Sequence, residues 1–236
     1  YAAFLTVDYA LSSQWSILGG LRYTFEEKSV EIASLSLNVN SPCSIIDDTC
    51  AFDFTDDASW KSLDPKIGLS FEPRGDVLIY SHWARGHRSG GYNLRNTAAD
   101  TANFGPGPFD QETVDNFEIG WKTNWDFGRI NGAVFYNNIR DMQREVLLTD
   151  PTSGVVQLVR NTADAEILGF ELDGVFFLSP SLVLDASIGY IDADYTDIFF
   201  DLSGDGVINQ TDYELAIPRA ADLTWSIGLN HDLPIG

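Results

Sequence analysis

The densest group of oxygen-bearing side chains lies near the end of this 236-residue chain. Asp201, Ser203, Asp205, Asn209 and Asp212 stand at positions 1, 3, 5, 9 and 12 of one stretch, with Gly206 at position 6, a backbone carbonyl from Val207 at 7 and Ile208 at 8. That spacing lets a short loop wrap its oxygens around a calcium ion: the glycine allows the sharp turn and the apolar residue anchors it. Asp and Gly are also ordinary turn residues, so a plain polar turn is the competing reading. A second group, Arg85, His87, Arg88 and Arg95, is the only basic cluster in an acidic chain. Guanidinium groups match planar oxygen anions, so these residues either contact an anionic substrate or pair with carboxylates from nearby segments. No catalytic triad, phosphate-binding glycine loop or histidine-based metal centre is present in the sequence, and no enzymatic activity is expected.

The charge distribution narrows the class of partner. With 14 basic against 35 acidic residues, the formal charge of -21 argues strongly against nucleic acid or an anionic membrane surface as partner. Much of the acid falls between apolar runs: Asp47, Asp48, Asp53, Asp56 and Asp57 in one stretch, Asp192, Asp194, Asp197, Asp201, Asp205, Asp212 and Glu214 in another. There it either keeps the chain soluble or recruits cations. No run of 18 apolar residues exists, so no transmembrane helix is expected.

What positions these groups is a repeated alternation. Phe117, Ile119, Trp121, Thr123 and Trp125 alternate with Asn116, Glu118, Gly120, Lys122 and Asn124, a period of two that places apolar and polar residues on opposite faces of a strand. The chain turns through Asp126, Phe127 and Gly128 and runs back from Ile130 to Asn137. The same pattern recurs in Ala3 to Tyr9, in Trp15 to Phe25, around Ile67 to Phe71 and Val77 to Ala84, in Phe170 to Leu178, in Leu184 to Tyr190 and in Leu223 to Leu229. This predicts nine strands, an all-β antiparallel fold. Connections alternate short and long, the long ones being the acidic stretch up to Ala58, residues 87–111, residues 141–165 and residues 197–221.

Two all-β architectures compete. A secreted β-sandwich that binds through its calcium loop would bury the apolar parity in a core. A transmembrane β-barrel would turn it to lipid, with tight turns on one rim and long loops on the other. The barrel is favoured because the apolar parity carries almost no charge, the opposite parity is rich in Gly, Ser and Asn, and runs of about 9–11 residues suit a tilted crossing. Trp125 stands just before a tight turn, where an interface collects indoles. Trp15, Trp121, Trp125, Phe176, Tyr190 and Trp225 are then expected to face outward and Arg22, Lys66, Lys122, Glu171 and Asp185 inward. Glu118 and Glu171 become lumenal residues with a structural role.

Four ordered motifs resemble the TonB-dependent outer-membrane receptors, in the C-terminal part of their barrel. The first holds Tyr80, Ala84, Gly86, Arg88, Gly90, Gly91, Tyr92 and Asn93, with His87 where that family has an aromatic residue. The second runs from Glu112 to Lys122; the third joins Phe135, Tyr136, Asn137 and Asn138 to Asp141, Met142 and Gln143; the fourth starts at Asn161 and ends at Gly169, Phe170 and Glu171, with Thr162 in place of alanine. The resemblance implies a portion of a 22-stranded barrel in the outer membrane of a Gram-negative bacterium, about nine to ten strands, lacking the plug domain, the energy-coupling segment and the terminal strands. It also implies import of a scarce nutrient, an iron chelate of the siderophore type before a cobalamin or a glycan, captured by loops and driven through TonB. In that setting Arg85, His87, Arg88 and Arg95 are candidate contacts for the cargo. The twelve-residue loop resembles the EF-hand, with Asn209 and Asp212 giving it the dockerin variant. Cys43 and Cys50 fall in a loop expected to be exterior, where an oxidising compartment favours a disulfide over a metal pair.

Overall fold

The computed structural model describes residues 1–32, 49, 54–94, 105–150 and 154–233. Cys43, Cys50 and Arg95 lie outside the described residues. Nine strands follow in chain order: β1 (Ala2–Ala10), β2 (Trp15–Ile32), β3 (Phe54–Arg74), β4 (Val77–Arg88), β5 (Glu112–Trp125), β6 (Gly128–Asp150), β7 (Gly154–Ser179), β8 (Leu182–Ile198) and β9 (Leu223–His231). They form one antiparallel sheet in which every strand lies beside its neighbours in sequence. The only helix among the described residues is α1 (Gln210–Tyr213).

The register turns the alternation of single strands into two continuous faces. Leu69, Ser81, Ile119, Val134, Phe170 and Tyr190 lie in one row across β3 to β8, and Ile67, Trp83, Phe117, Tyr136 and Leu168 in the next. On the opposite face, Lys66, Ala84, Asn116, Asn137 and Ile167 share a row, and Arg22 lies across from Asp64. The expected division therefore holds: the six named aromatics fall on the apolar face, and Arg22, Lys66, Lys122, Glu171 and Asp185 on the polar one. Close packing of rings over glycines tightens both faces. A Cβ at Gly120 would fall 2.5 Å from the Tyr80 ring, and one at Gly132 would fall 2.4 Å from the Trp121 indole.

Nothing among the described residues covers the apolar face. Ile119 is 63% exposed and Trp225 69%, although a sandwich would bury both against a second sheet. Near the short turns Trp15 stacks on Phe71 at 4.3 Å and Trp125 on Phe127 at 5.5 Å. Higher up the strands, Trp83, Phe117 and Tyr136 form a second chain of rings at 6.3 Å spacings. Two aromatic rows bounding an apolar band are the arrangement of a lipid-facing wall.

Two expectations about length are corrected. Strands were expected to be about 9–11 residues, and several are far longer: β3 has 21, β6 has 23 and β7 has 26. Residues 141–165 were expected to be irregular, yet residues 141–150 and 154–165 belong to β6 and β7 and pair with one another as far as Asp150 and Gly154. Their charged residues and the Pro-Thr-Ser-Gly turn signal mask the period, although Val146 and Leu148 on one arm and Val156 and Leu158 on the other do alternate and pack together. The register shifts between Ile139 and Met142, where Asp141 takes φ 55°. The main buried cluster, Met142, Ala163, Ala165, Tyr195, Ile198 and Ile217, forms where residues 199–222 fold against the tops of β6, β7 and β8.

Candidate functional site

The segment between β4 and β5 is strapped to the β6–β7 extension by amide side chains. Gln143, buried at 7% exposure, donates to the carbonyls of Ser89 (3.0 Å), Asp110 (2.8 Å) and Arg88 (3.5 Å), and its backbone N–H donates to Glu112. Asn161 donates to the carbonyls of Asp110 and Asp141 and accepts the Asp110 N–H at 2.7 Å. Asn93 exchanges two hydrogen bonds with the Val159 backbone, at 3.0 and 2.7 Å. These bonds satisfy backbone groups that a loop crossing a sheet would otherwise leave bare. On the other flank, Lys28 donates to the Ser89 hydroxyl and the Gly90 carbonyl, and the Tyr92 hydroxyl donates to Asp56 at 3.0 Å. Burial, reinforced by that carboxylate, pushes the Tyr92 phenol up to about 12.

The strap leaves a polar hollow of about 620 Å³ beside it, lined by Glu26, Lys28, Arg88, Ser89, Tyr92 and Gln143 among others. The candidate basic residues divide here. Arg85 forms a two-pronged ion pair with Asp115, at 2.9 and 2.7 Å, and both lie on the apolar parity. His87 sits 2.7 Å from Asp64. Arg88 lies on the polar parity across from Glu112, exposed at the hollow. The structure therefore brings Arg88 to a concave polar surface and gives Arg85 and His87 acidic partners. Close by, the Gln111 side-chain oxygen is the one buried side-chain polar atom without a hydrogen-bond partner among the described residues.

The six residues of the calcium spacing come together around α1. Asp201 accepts the N–H groups of Gly204 and Gly206 and the Ser203 hydroxyl. Asp212 accepts those of Leu202, Ser203 and Asn209, while Asn209 caps α1. Gly204 and Gly206, at φ 80° and 94°, make turns that side chains with a Cβ resist. Asp205 takes the Val207 N–H and the Asn209 amide. The carboxylates thus serve the loop's own donors, and among the described residues no set of three or more acidic, histidine or cysteine side chains is arranged to hold a metal. The Gly206 N–H is the first cause holding the Asp201 carboxyl below the ordinary carboxylate range, and the Asn209 N–H does the same for Asp212. Groups with depressed folded values stabilise fully above their unfolded value near 3.8 and lose that contribution as pH falls through the lower folded one. Protease cleavage within 199–222 is accordingly expected to rise only below about pH 4 and to be flat from there to neutrality; a rise centred near pH 6 would contradict this.

A family model described as TonB dependent receptor-like, beta-barrel matches residues 1–236. The chain belongs to that family. It is 24% identical over 200 residues to the pesticin receptors of Yersinia enterocolitica and Yersinia pestis, an overlap of 83% of this chain and 26% of each relative. Among solved structures it superposes on the ferric yersiniabactin uptake receptor FyuA from Yersinia pestis with a TM-score of 0.73 at 18% identity, over 98% of this chain and 30% of that one. The copper transporter OprC gives 0.68 at 15% identity over 98% of this chain and 33% of that one, and the FrpB iron transporter from Neisseria meningitidis 0.61 at 17% over 99% and 30%. The chain thus spans about a quarter of the length of these curated relatives. This TonB-dependent receptor barrel segment resides in the outer membrane of a Gram-negative bacterium, its apolar face toward lipid and its polar face toward the lumen, and its family consists of transporters rather than enzymes.

The strap residues Gln143, Asn93 and Asn161, with Lys28 and Tyr92, were not singled out as functional by type and spacing. A signal existed nonetheless. Asn93, Gln143 and Asn161 each stand inside one of the four receptor-like motifs, so those motifs mark the residues that join the loop to the hairpin.

Proposed function

We propose that the receptor carrying this segment binds a scarce anionic nutrient, a ferric chelate foremost, at its extracellular mouth and imports it with energy delivered through TonB. The observation that carries this reading is the strapped polar hollow in which Arg88 and Lys28 stand as cations on the lumenal face. Support also comes from relatives whose names specify ferric yersiniabactin uptake and iron transport. In the full-length receptor, deleting residues 89–111 is expected to abolish binding of a radiolabelled ferric chelate to cells while the barrel stays inserted and heat-modifiable in gels. Replacing Arg88 and Lys28 together by alanine is expected to weaken binding roughly tenfold or more, the scale of one or two charge-assisted contacts. Binding that survives both changes would sink the loop assignment.

Calcium at Asp201, Ser203, Asp205, Val207, Asn209 and Asp212 is a separable part of this reading. It is favoured by the closure of positions 1 and 12 onto Ser203 and by the capped helix that leaves the loop. Calorimetric titration of the receptor with calcium is expected to show one site that Asp205→Ala removes. Heat unaltered by that substitution would rule the ion out.

A further inference from the structure

We propose that the wall hinges just above the Lys66–Ala84 pair, so that the upper parts of β2 and β3 swing against β4 to β8 and the polar hollow between them opens and closes. The ladders decide where the division falls. β2 and β3 stay paired without a shift up to Ile32 and Phe54, and β4 and β5 up to Arg88 and Glu112. Between β3 and β4 the ladder stops at Lys66 and Ala84, so among the described residues 54–65 have a partner strand on one side only.

Pro65 accounts for the stop. Tyr1 and Phe25 exchange backbone hydrogen bonds on the β1 side of β2, and the alternation of an antiparallel ladder then sends the backbone groups of Lys61, Leu63 and Pro65 toward β4. A proline has no N–H to give there, so the next rung, Pro65 against Arg85, lacks a donor. Above it the two parts meet through side chains. His87 sits 2.7 Å from Asp64, the Tyr92 hydroxyl donates to Asp56 at 3.0 Å, and Lys28 donates to the Ser89 hydroxyl and the Gly90 carbonyl. Separate side-chain bonds at a wet rim give way more readily than a cooperative ladder.

The hollow of about 620 Å³ lies across this division. Lys28 and Val30 line it from β2, and Arg88, Ser89 and Gln143 line it from the other part, so its width follows the angle between the two. Gln143 and Asn161 fix the strap to the larger part, which is braced by ladders from β4 to β8. The bonds from His87, Tyr92 and Lys28 therefore act as a latch across the division. The two cations of the hollow are split in the same way, Lys28 on one part and Arg88 on the other. An anionic cargo held by both draws the parts together, a step that rests on the function proposed above.

The test is the distance between paired spin labels on the full-length receptor in lipid, with Cys43→Ser and Cys50→Ser as background. Ser59→Cys and Asp192→Cys, both exposed, report across the division; Leu69→Cys and Ile188→Cys, also exposed, report below it. Without cargo, His87→Ala combined with Tyr92→Phe is expected to shift or broaden the upper distance by about 2 Å or more and to leave the lower one at its original width. Asp56→Ala, which removes an acceptor from the opposite part, is expected to act in the same direction. An upper distance unmoved in both variants while gels show folded barrel, or a lower distance that shifts with it, would overturn the hinge. Ferric yersiniabactin serves as the cargo probe: on binding, the upper distance is expected to shorten, and binding without shortening would refute the coupling. A receptor that does not bind it counts against the cargo alone, because the cargo-free distances still decide the hinge.

Discussion

Ile119→Arg is expected to lower the stability of the receptor in lipid vesicles by about 1–3 kcal/mol, between the cost of a basic side chain at the bilayer midplane and its smaller cost near an interface. Ile119 lies in the row of Leu69, Ser81 and Val134, between the aromatic rows, and is 63% exposed on the apolar face. The matching substitution on the polar face, Ser187→Arg, places the same charge across from Asp173 and is expected to cost little. Denaturant midpoints of the two variants, measured by the folded band in unheated gels, should differ plainly with unchanged slope. Equal midpoints would mean that lipid does not contact the face assigned to it.

The second large effect is local. Gln143→Leu keeps the size of the side chain and removes the donor shared by the carbonyls of Ser89 and Asp110. The Asp110 carbonyl keeps the Asn161 amide, and the Ser89 carbonyl loses its Gln143 donor, a loss of about 1–3 kcal/mol. Amide exchange in residues 89–94 and 105–111 should therefore rise roughly 5- to 150-fold, with exchange in the lower halves of β4 and β5 unaltered. Unchanged exchange in the loop would show that Asn161 and Asn93 hold it alone.

Much of the wall was legible because a lipid-facing strand imposes the simplest of codes. Period two with apolar residues on a single parity fixes which face each side chain takes, and the positions of Trp15, Trp125 and Trp225 followed from it. Above the membrane that constraint lapses. Residues 141–150 and 154–165 form strand although their polar composition reads as irregular, because pairing there is stabilised by backbone hydrogen bonds and small clusters such as Val146, Val156 and Leu158. The pairing of Arg85 with Asp115 was open to sequence reasoning only as one of two alternatives. It needed the register of β4 against β5, which a single strand does not encode. The strap was invisible to composition, since amide side chains bonding carbonyls far away in sequence leave no periodic trace.

The strictly sequential order of the sheet bears on how such a wall is assembled and how it changes in descent. Every strand from β1 to β9 finds its partner in the segment just made, so no pairing waits for a distant stretch of chain. Hairpins can be added to the growing edge one after another, each presenting the template for the next. For the same reason a gene that duplicates or drops one hairpin alters the circumference of the pore while each strand still pairs with its sequence neighbour, so the aperture can change wherever the strap bonds between hairpins do not tie the wall to its rim.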